Sequence, residues 1–546
     1  MSLRLRNLRT LAKDPGENYL KNGSFEVPGV GVPYAWGSGH WGVGHLPWAT
    51  NMDLWRERFR VDAPVAKDGA HSLLLHNTDG LPLLSAQSVW FTPPASARAL
   101  VLSAWLKSDQ ARLPVTLTCG DRSVTADAGT EWAQASLTGI ERAEQMTVTV
   151  APQGAGKLWI DAVQVQALAA PTPEFHPAFV DESLEARERL VDWTPPPRTA
   201  AIAAGRTTVG PVKPASVVID GGGQVLLDGE PYIQHSLGLE FVDDLAILDF
   251  AAQSGFRDVC IQVQPGVTTQ QLRTILDRCA QVGLRVILWL DGRIPREQFR
   301  QHIQDLRDHP ALLVWYVYDE PSGERFAEAD ARYRLARELD PARPALISYL
   351  SDKLEDHTGD IYSTDVYPIP HSTPAAAIGA VRQMKAAADR EHKPVWMWLQ
   401  GTGYAYWMDR EPTPRELSCM VYGSLIEGAR GLYYFAQIPR TKECFDEMRA
   451  LLVEVEALTP VLPSADAAPT VTCDTASILS RTFQNDGACW VLAVNTQPTA
   501  CEAAFSLDRP PDEVEVAFEG RTIRAQAREW RDSFGPYERH VYRVRG

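Results

Sequence analysis

No stretch of this chain is apolar for long enough to cross a membrane. Runs of lysine and arginine are also missing. The 53 basic side chains are outnumbered by 69 acidic ones, for a net charge of −16, so the chain offers no basic face of the kind a nucleic acid requires. Cysteine is sparse: there are eight, none in a CxxC pair or in a Cys/His cluster with zinc spacing. Most sit inside apolar runs and read as buried free thiols, although Cys473, Cys489 and Cys501 lie close enough in sequence to allow a disulfide. There is no phosphate loop, dinucleotide fingerprint or metal motif, so neither cofactor nor metal is expected. Residues 1–14 carry Arg4, Arg6, Arg9 and Lys13 but no sustained apolar core, which excludes a secretory signal in that stretch. The expected location is the cytoplasm, or outside the cell as the mature form of an exported protein.

Tryptophan is plentiful. There are 16, eight of them before residue 160. Aromatic faces in a β-rich segment stack on sugars, but they fill cores equally well. Among 546 residues, hydrophobic content of 45% and charge of 22% describe an ordinary globular chain of several domains.

The segment 18–168 reads as all-β, with short apolar alternations broken by Gly, Pro, Asn and Asp. The segment 169–215 reads as a linker stiffened by Pro171, Pro173 and Pro195-Pro196-Pro197, with a short helix over 181–191. From 216 to 462 the pattern changes. A hairpin turning at Gly221-Gly222-Gly223 is followed by strand-like segments at 232–239, 259–263, 286–290, 312–318, 345–349, 361–366, 395–399 and 432–435. Helical patterns at 269–282, 325–339, 375–389 and 414–427 lie between some of them. Eight such units in this length predict a (β/α)8 barrel. The segment 463–546 returns to β grammar and predicts a small sandwich. The fold class is therefore multidomain: a central (β/α)8 TIM barrel flanked by an N-terminal β jelly roll and a C-terminal β-sandwich.

The fourth barrel strand, Leu312-Leu313-Val314-Trp315-Tyr316-Val317-Tyr318-Asp319-Glu320-Pro321, carries the chemistry. A strand apolar on both faces is buried in a parallel sheet. Pro321 cannot donate to a ladder, so the strand stops there. That leaves Asp319 and Glu320 at the carboxyl rim, where barrels of this kind place their sites. The same rim collects Glu240, Gln262, Gln264, Asp291, Asp365, Tyr367, Gln400 and Gln437, with Trp289, Trp315, Trp396 and Trp398 nearby. Carboxylates and amides between aromatic walls suit a neutral, polyhydroxylated ligand.

Two resemblances bear on this reading. Asn22-Gly23-Ser24-Phe25-Glu26, Ser103-Ala104-Trp105-Leu106-Lys107 and Trp159-Ile160-Asp161-Ala162-Val163-Gln164-Val165 come in the order of a galactose-binding-like jelly roll, the fold of many carbohydrate-binding modules. The loop holding Trp36, His40, Trp41, His45, Trp48 and Trp55 is its most aromatic candidate surface. Across about 220–460, the fourth strand resembles that of clan A glycoside hydrolases, in which Asn-Glu-Pro ends the strand. Asp365-Val366-Tyr367-Pro368 after the sixth strand and Gly428-Ala429-Arg430-Gly431 before the eighth agree in place. The resemblance implies a glycoside hydrolase with Glu320 as general acid/base. The chain departs from that clan in having Asp319 where Asn is usual and Gln400 where the nucleophilic Glu belongs.

Glycoside hydrolysis normally needs two carboxyl groups. Asp365 is the favoured partner of Glu320, as base or nucleophile. Two alternatives stay open for the second group: Asp319, acting with Glu320 as in barrels that cleave N-acetylhexosaminides with help from the substrate, and Glu240. Expected substrate contacts are Glu240, Asp291, Tyr367, Trp398, Gln400, Tyr404, Trp407 and His235. The expected partner is an oligo- or polysaccharide, with no nucleic acid and no membrane. Competing readings are a barrel that binds carbohydrate without catalysis, motivated by Gln400, and a hydrolase or lyase acting on a substrate other than sugar.

Overall fold

The computed structural model describes residues 17–27, 33–38, 57–62, 64–80, 83–176, 194–206, 210–240, 242, 244–350, 358–404, 406–463, 470–508, 510–511 and 513–545. The expected helix at 181–191 and the residues His40, Trp41, His45, Trp48 and Trp55 lie outside them. The chain divides into two compact units. The first is Met1–Val191 with Thr402–Glu411 and Ile438–Glu443, and the second is the remainder.

The first unit holds two five-stranded antiparallel sheets. One runs Trp36–Ser38, Ala86–Ser88, Val148–Pro152, Leu113–Cys119 and Arg122–Ala128; the other runs Phe59–Asp62, Ser72–Asn77, Gly156–Gln166, Leu100–Ser108 and Ala133–Ile140. Alternate side chains, among them Val115, Leu117, Leu73, Leu75, Leu158 and Ile160, are fully buried, the period-2 pattern of a half-buried sheet. Trp36 is one of them. It is 0% exposed, packs on Phe25 at 5.2 Å and donates its indole N–H to the Lys21 carbonyl, so it is core and not binding surface. The two segments from late in the chain are bound into this unit. Lys21 and the Tyr34 hydroxyl both reach Asp409, and Tyr406 packs edge-on against Trp90 at 4.5 Å.

The second unit is built on a closed barrel of eight parallel strands: Gln234–Leu239, Asp258–Val263, Arg285–Leu290, Leu312–Asp319, Ala345–Ser348, Ile361–Asp365, Val395–Gln400 and Ala429–Phe435. Strand eight closes on strand one, with Gln234 opposite Gly431 and Leu237 opposite Tyr434. Helices Ala246–Gln253, Thr269–Val282, Arg296–Leu306, Arg325–Leu339, Pro374–Ala388 and Pro414–Ile426 return the chain between strands, and Lys442–Leu458 follows strand eight. No helix lies between strands five and six among the described residues. Local chemistry sets several helix starts. Thr268 with Gln271 and Thr413 with Glu416 form capping boxes, and Pro374 and Pro414 occupy first-turn positions where no N–H is needed.

The barrel interior is aromatic, and two glycines make room for it. A methyl group at Gly238 would stand 2.5 Å from the Trp398 ring, and one at Gly431 would stand 2.4 Å from the Trp396 ring. Beyond the barrel, a three-stranded sheet (Val471–Cys473, Cys501–Leu507, Glu529–Phe534) and a five-stranded sheet (Ile478–Asn485, Ala488–Asn495, Arg539–Arg545, Glu513–Val516, Arg521–Ile523) share one core that includes Val491, Phe505, Trp530 and Tyr542. Every residue of helix Pro414–Ile426 is buried. All eight cysteines are free, which excludes the disulfide considered for Cys473, Cys489 and Cys501.

The C-terminal sheets are locked to the barrel by charge. Arg539, 0% exposed, reaches Glu454 of the last helix at 2.5 Å and Glu519 at 3.0 Å. Glu454 also takes Arg198 at 2.7 Å and the Tyr422 hydroxyl at 2.5 Å. Burial alone would raise the Glu454 carboxyl, but Arg539 and Arg198 overcome it and hold the group below its usual range. Removing one member of a buried ion pair leaves its partner uncompensated, at about 3–5 kcal/mol. Arg539→Ala is therefore expected to lower the unfolding free energy from denaturant titration by about that cost, seen as a lower midpoint at unchanged slope. An unchanged midpoint would mean that this lock contributes nothing.

Candidate active site

A regular strand points consecutive side chains to opposite faces. In strand four, Tyr316 faces the barrel interior, stacked on Trp289 with ring centres 5.0 Å apart. Residue 319 would then face outward. The pairing with strand five slips between Tyr316 and Tyr318, however, and this bulge re-aims the end of the strand. Asp319 turns inward and accepts a hydrogen bond from the Tyr316 hydroxyl. Glu320 follows in the left-handed region, at φ 42°, with its N–H bonded to the Ser348 carbonyl at 3.0 Å. Such a backbone costs a non-glycine residue about 1–3 kcal/mol and is found where the surroundings over-determine it.

Asp365 ends strand six. Its carboxyl lies within the electrostatic reach of Glu320 and Asp319. Burial first, then the charges of Glu320 and Asp319, push Asp365 well above the usual carboxylate range. Asp365 thus holds a proton. Its Oδ1 is buried with no hydrogen-bond partner. Asp319 is raised to about 7, chiefly by burial and by Glu320, with Asp291 and Glu240 adding to the rise and the Tyr316 hydroxyl opposing it. Tyr367 completes the cluster. Burial raises its hydroxyl most, and Asp365, Asp319, Glu320 and Glu240 raise it further. Beside the acids lie aromatic rings: Trp398, level with Asp365, is stacked on Tyr433 at 4.4 Å, Tyr367 on Phe435 at 4.7 Å, and Trp289 stands near Trp398 at 5.9 Å.

The barrel therefore gathers Glu240, Asp319, Glu320, Asp365, Tyr367 and Trp398 into one cluster. Other expected contacts have different occupations. Asp291 is committed to Arg293, which approaches both its oxygens (2.8 and 2.9 Å), and to the Gln262 amide at 3.0 Å. Burial would raise it, yet these bonds hold it below its usual range as a fixed anion. Gln400 is 0% exposed and closes a two-point clamp on the Ile369 backbone, accepting from its N–H at 2.7 Å and donating to its carbonyl at 2.9 Å. It holds the loop after strand six, which corrects its reading as a substrate contact. His235 is also corrected. It lies near the start of strand one, level with Leu432, and bonds the Tyr434 hydroxyl at 2.8 Å. Burial drives its ring well below the usual histidine range, so it is neutral and away from the carboxyl rim. Tyr404 and Trp407 belong to the first unit, where Tyr404 is 1% exposed and Trp407 packs near Trp90 at 6.4 Å.

Sequence reasoning missed Tyr316 as a partner of Asp319, because alternation places the two on opposite faces. It also missed Arg332, which is buried and donates to the carbonyls of Asp291, Gly292 and Ile294. A buried arginine on helix Arg325–Leu339 was its only visible signal. No group of three or more potential metal ligands occurs among the described residues.

No protein-family model matches the chain. No curated protein sequence matches it. Its neighbours among solved structures include a protein described as a glycoside hydrolase, at 12% identity and TM-score 0.44 over 62% of this chain and 98% of its own. A glycoside hydrolase of family 5 from Bacteroides vulgatus aligns at 13% identity and TM-score 0.43, over 62% of this chain and 95% of its own. A family 61 carbohydrate-binding module in complex with β-1,4-galactotriose aligns at 19% identity and TM-score 0.21, over 27% of this chain and 97% of its own. By its own strands, the chain is a multidomain (β/α)8-barrel protein with flanking antiparallel β regions.

Two outcomes follow from the site's geometry. Asp319 keeps its proton up to about 7, against an ordinary value of 3.8. Between those values the folded state binds a proton that the unfolded chain has released, so stability falls as pH rises. Asn cannot ionise. Asp319→Asn is expected to gain thermal midpoint over wild type progressively from about pH 4 to about pH 8; a pH-independent difference would contradict the raised value. Gln400→Glu sets a carboxylate oxygen against the Ile369 carbonyl in place of an N–H. Chemical denaturation is expected to show a loss of about 1–3 kcal/mol.

Proposed function

We propose that the protein is a glycoside hydrolase acting on an oligo- or polysaccharide, and that it works with retention of configuration through Glu320 and Asp365. The observation that supports this is the mutual electrostatic reach of the two carboxyls, which helps to raise Asp365, together with the partnerless Oδ1 of Asp365. Inverting enzymes keep their carboxyls roughly 6.5–9.5 Å apart to admit a water, whereas retaining pairs stand at about 5–5.5 Å. Carboxyls near enough for one to raise the other support the short class.

In this reading the proton belongs to the pair and not to either residue. At rest Asp365 holds it. When substrate enters, its transfer from Asp365 to Glu320 leaves Glu320 as the acid and Asp365 as the carboxylate. Glu320 then protonates the glycosidic oxygen as the bond from C1 to that oxygen breaks, and Asp365 attacks C1 to form a glycosyl ester. Glu320, now ionised, takes a proton from water. That water attacks C1 and releases Asp365. Asp319 and Tyr367 border the pair and tune its charge, and Trp398 supplies a stacking face. The N-terminal sheets are assigned as an accessory carbohydrate-binding module.

A second reading has its own observation. Asp319, held by the Tyr316 hydroxyl and next in sequence to Glu320, supports a role in orienting a substrate acetamido group. It predicts activity on N-acetylhexosaminides only, and independence from Asp365.

The test is a glycan panel assayed with wild type, Glu320→Gln and Asp365→Asn. Both variants are expected to lose at least about 10²-fold in kcat/KM. Proton NMR of the first product is expected to show the anomer of the substrate. Azide added to Asp365→Ala should restore turnover and give a glycosyl azide of opposite configuration. Initial release of the opposite anomer by wild type would overturn retention. Full activity of Glu320→Gln on every cleaved substrate would sink the hydrolase reading itself.

A further inference from the structure

The rim made by strands two and three carries a closed ring of hydrogen bonds whose direction is fixed at both ends. Arg293 donates to Asp291 Oδ1 through its backbone N–H and its Nε, each at 2.8 Å, and to Oδ2 through Nη2 at 2.9 Å. Nη2 also donates to the Gln264 carbonyl oxygen at 3.0 Å. Gln264 Nε2 donates to Gln262 Oε1 at 2.8 Å, and Gln262 Nε2 donates to Asp291 Oδ2 at 3.0 Å. A guanidinium can only donate and a carboxylate can only accept, so neither amide is free to turn over.

This leaves the ring short of acceptors and rich in donors. Asp291 takes two bonds on each oxygen, and both amide oxygens are already bonded. Arg293 Nη1 makes no hydrogen bond among the described residues, and each amide nitrogen keeps one N–H unspent. The Arg293 side chain is 69% exposed, so its unspent edge is open to a ligand. Trp289 adds another donor. It is level with Gln262 on one side and Tyr316 on the other, so the three side chains form one row on the inner face of the barrel. Trp289 is 8% exposed, and its indole N–H is buried with no acceptor. A buried donor left unmet is costly, and native structures seldom keep one without a reason. The row reaches the acid cluster through the Tyr316 hydroxyl, which donates to Asp319.

We propose that this ring and Trp289 hold the carbonyl oxygen of an acetyl group on the sugar, as an acetamide or as an acetyl ester. A sugar hydroxyl brings a proton that needs an acceptor of its own, and the Asp291 oxygens are full. A carboxylate or sulfate would be set among Glu320, Asp291 and Glu240, whose charges already add to burial in raising Asp319. An acyl carbonyl only accepts and carries no charge. Its methyl group packs on the Trp289 and Tyr316 rings, stacked with centres 5.0 Å apart. This assignment rests on the glycoside hydrolase reading and names its substrate class, a glycan bearing acetylated sugars. It is distinct from substrate assistance, because a carbonyl oxygen bound by Arg293 is not free to attack C1.

The test uses two matched pairs of neutral glycans. Chito-oligosaccharide against cello-oligosaccharide reads an amide source. Acetylated xylo-oligosaccharide against the same preparation deacetylated with alkali reads an ester source. Wild type is assayed for kcat/KM, and Glu320→Gln is titrated with all four by calorimetry. In at least one pair the acetylated member is expected to be favoured by about tenfold or more in both measurements. Arg293→Lys keeps a cation beside Asp291 but removes the Nη1 donors, and Gln264→Leu removes an amide. Each variant, checked for an unchanged thermal midpoint, is expected to lose most of the preference through a raised KM for the acetylated member. Equal, reversed or absent binding in both pairs overturns the assignment, whether or not any glycan is cleaved. Cleavage of both members with equal kcat/KM overturns it too and leaves the hydrolase reading standing. Acetyl-selective binding with no cleavage does the reverse. A preference that survives both variants unchanged also overturns it.

Discussion

Consecutive strand residues face opposite ways, and a barrel wall enforces that rule strictly, because its inside and outside are different environments. The acid cluster exists because strand four breaks the rule. The register slip before Tyr318 turns Asp319 toward Tyr316, and the left-handed Glu320 delivers the next carboxyl to Asp365. Without the slip, one acid would be lost to the helix layer. Three carboxyls packed in a buried space cannot all ionise, so protons are retained well above the usual range. The strain and the proton sharing are two aspects of a single backbone choice.

Holding that arrangement takes many of the polar groups around the rim. Gln400 is spent on Ile369, Asp291 on Arg293 and Gln262, and Arg332 on three carbonyls of the loop after strand three. A loop carrying a functional carboxylate is useful only if its backbone is fixed, and buried amides and guanidinium groups fix it with several directional bonds each. The glutamine that stands where clan A has its nucleophile is thus a brace for the strand-six loop that follows Asp365.

The packing beside the site follows from size. Gly238 and Gly431 surrender their side-chain volume to Trp398 and Trp396, and the stacked rings form a rigid wall. On the outside, helix Pro414–Ile426 is fully buried, and Arg539 meets Glu454 with both side chains fully buried. Charges so deeply buried are stable only as complete sets, which ties the C-terminal sheets to the barrel as one body.

The sequence alone determined the class of fold. Eight apolar strand patterns, two-sided burial and the helix caps depend on residues close in the chain, and the barrel strands fall within a few residues of the expected positions. The acid-bearing strand end was legible for the same reason: an apolar run cut off by Asp-Glu-Pro is a local signal. Only the tertiary structure decided which rim residues lie together. The bulge that pairs Tyr316 with Asp319, the nearness of Glu320 and Asp365, the inward burial of Gln400 and Trp36, and the placement of His235 at the wrong end of its strand all depend on partners tens or hundreds of residues away. Side-chain chemistry states what a residue can do, but register and burial choose its partner, and no local pattern encodes either.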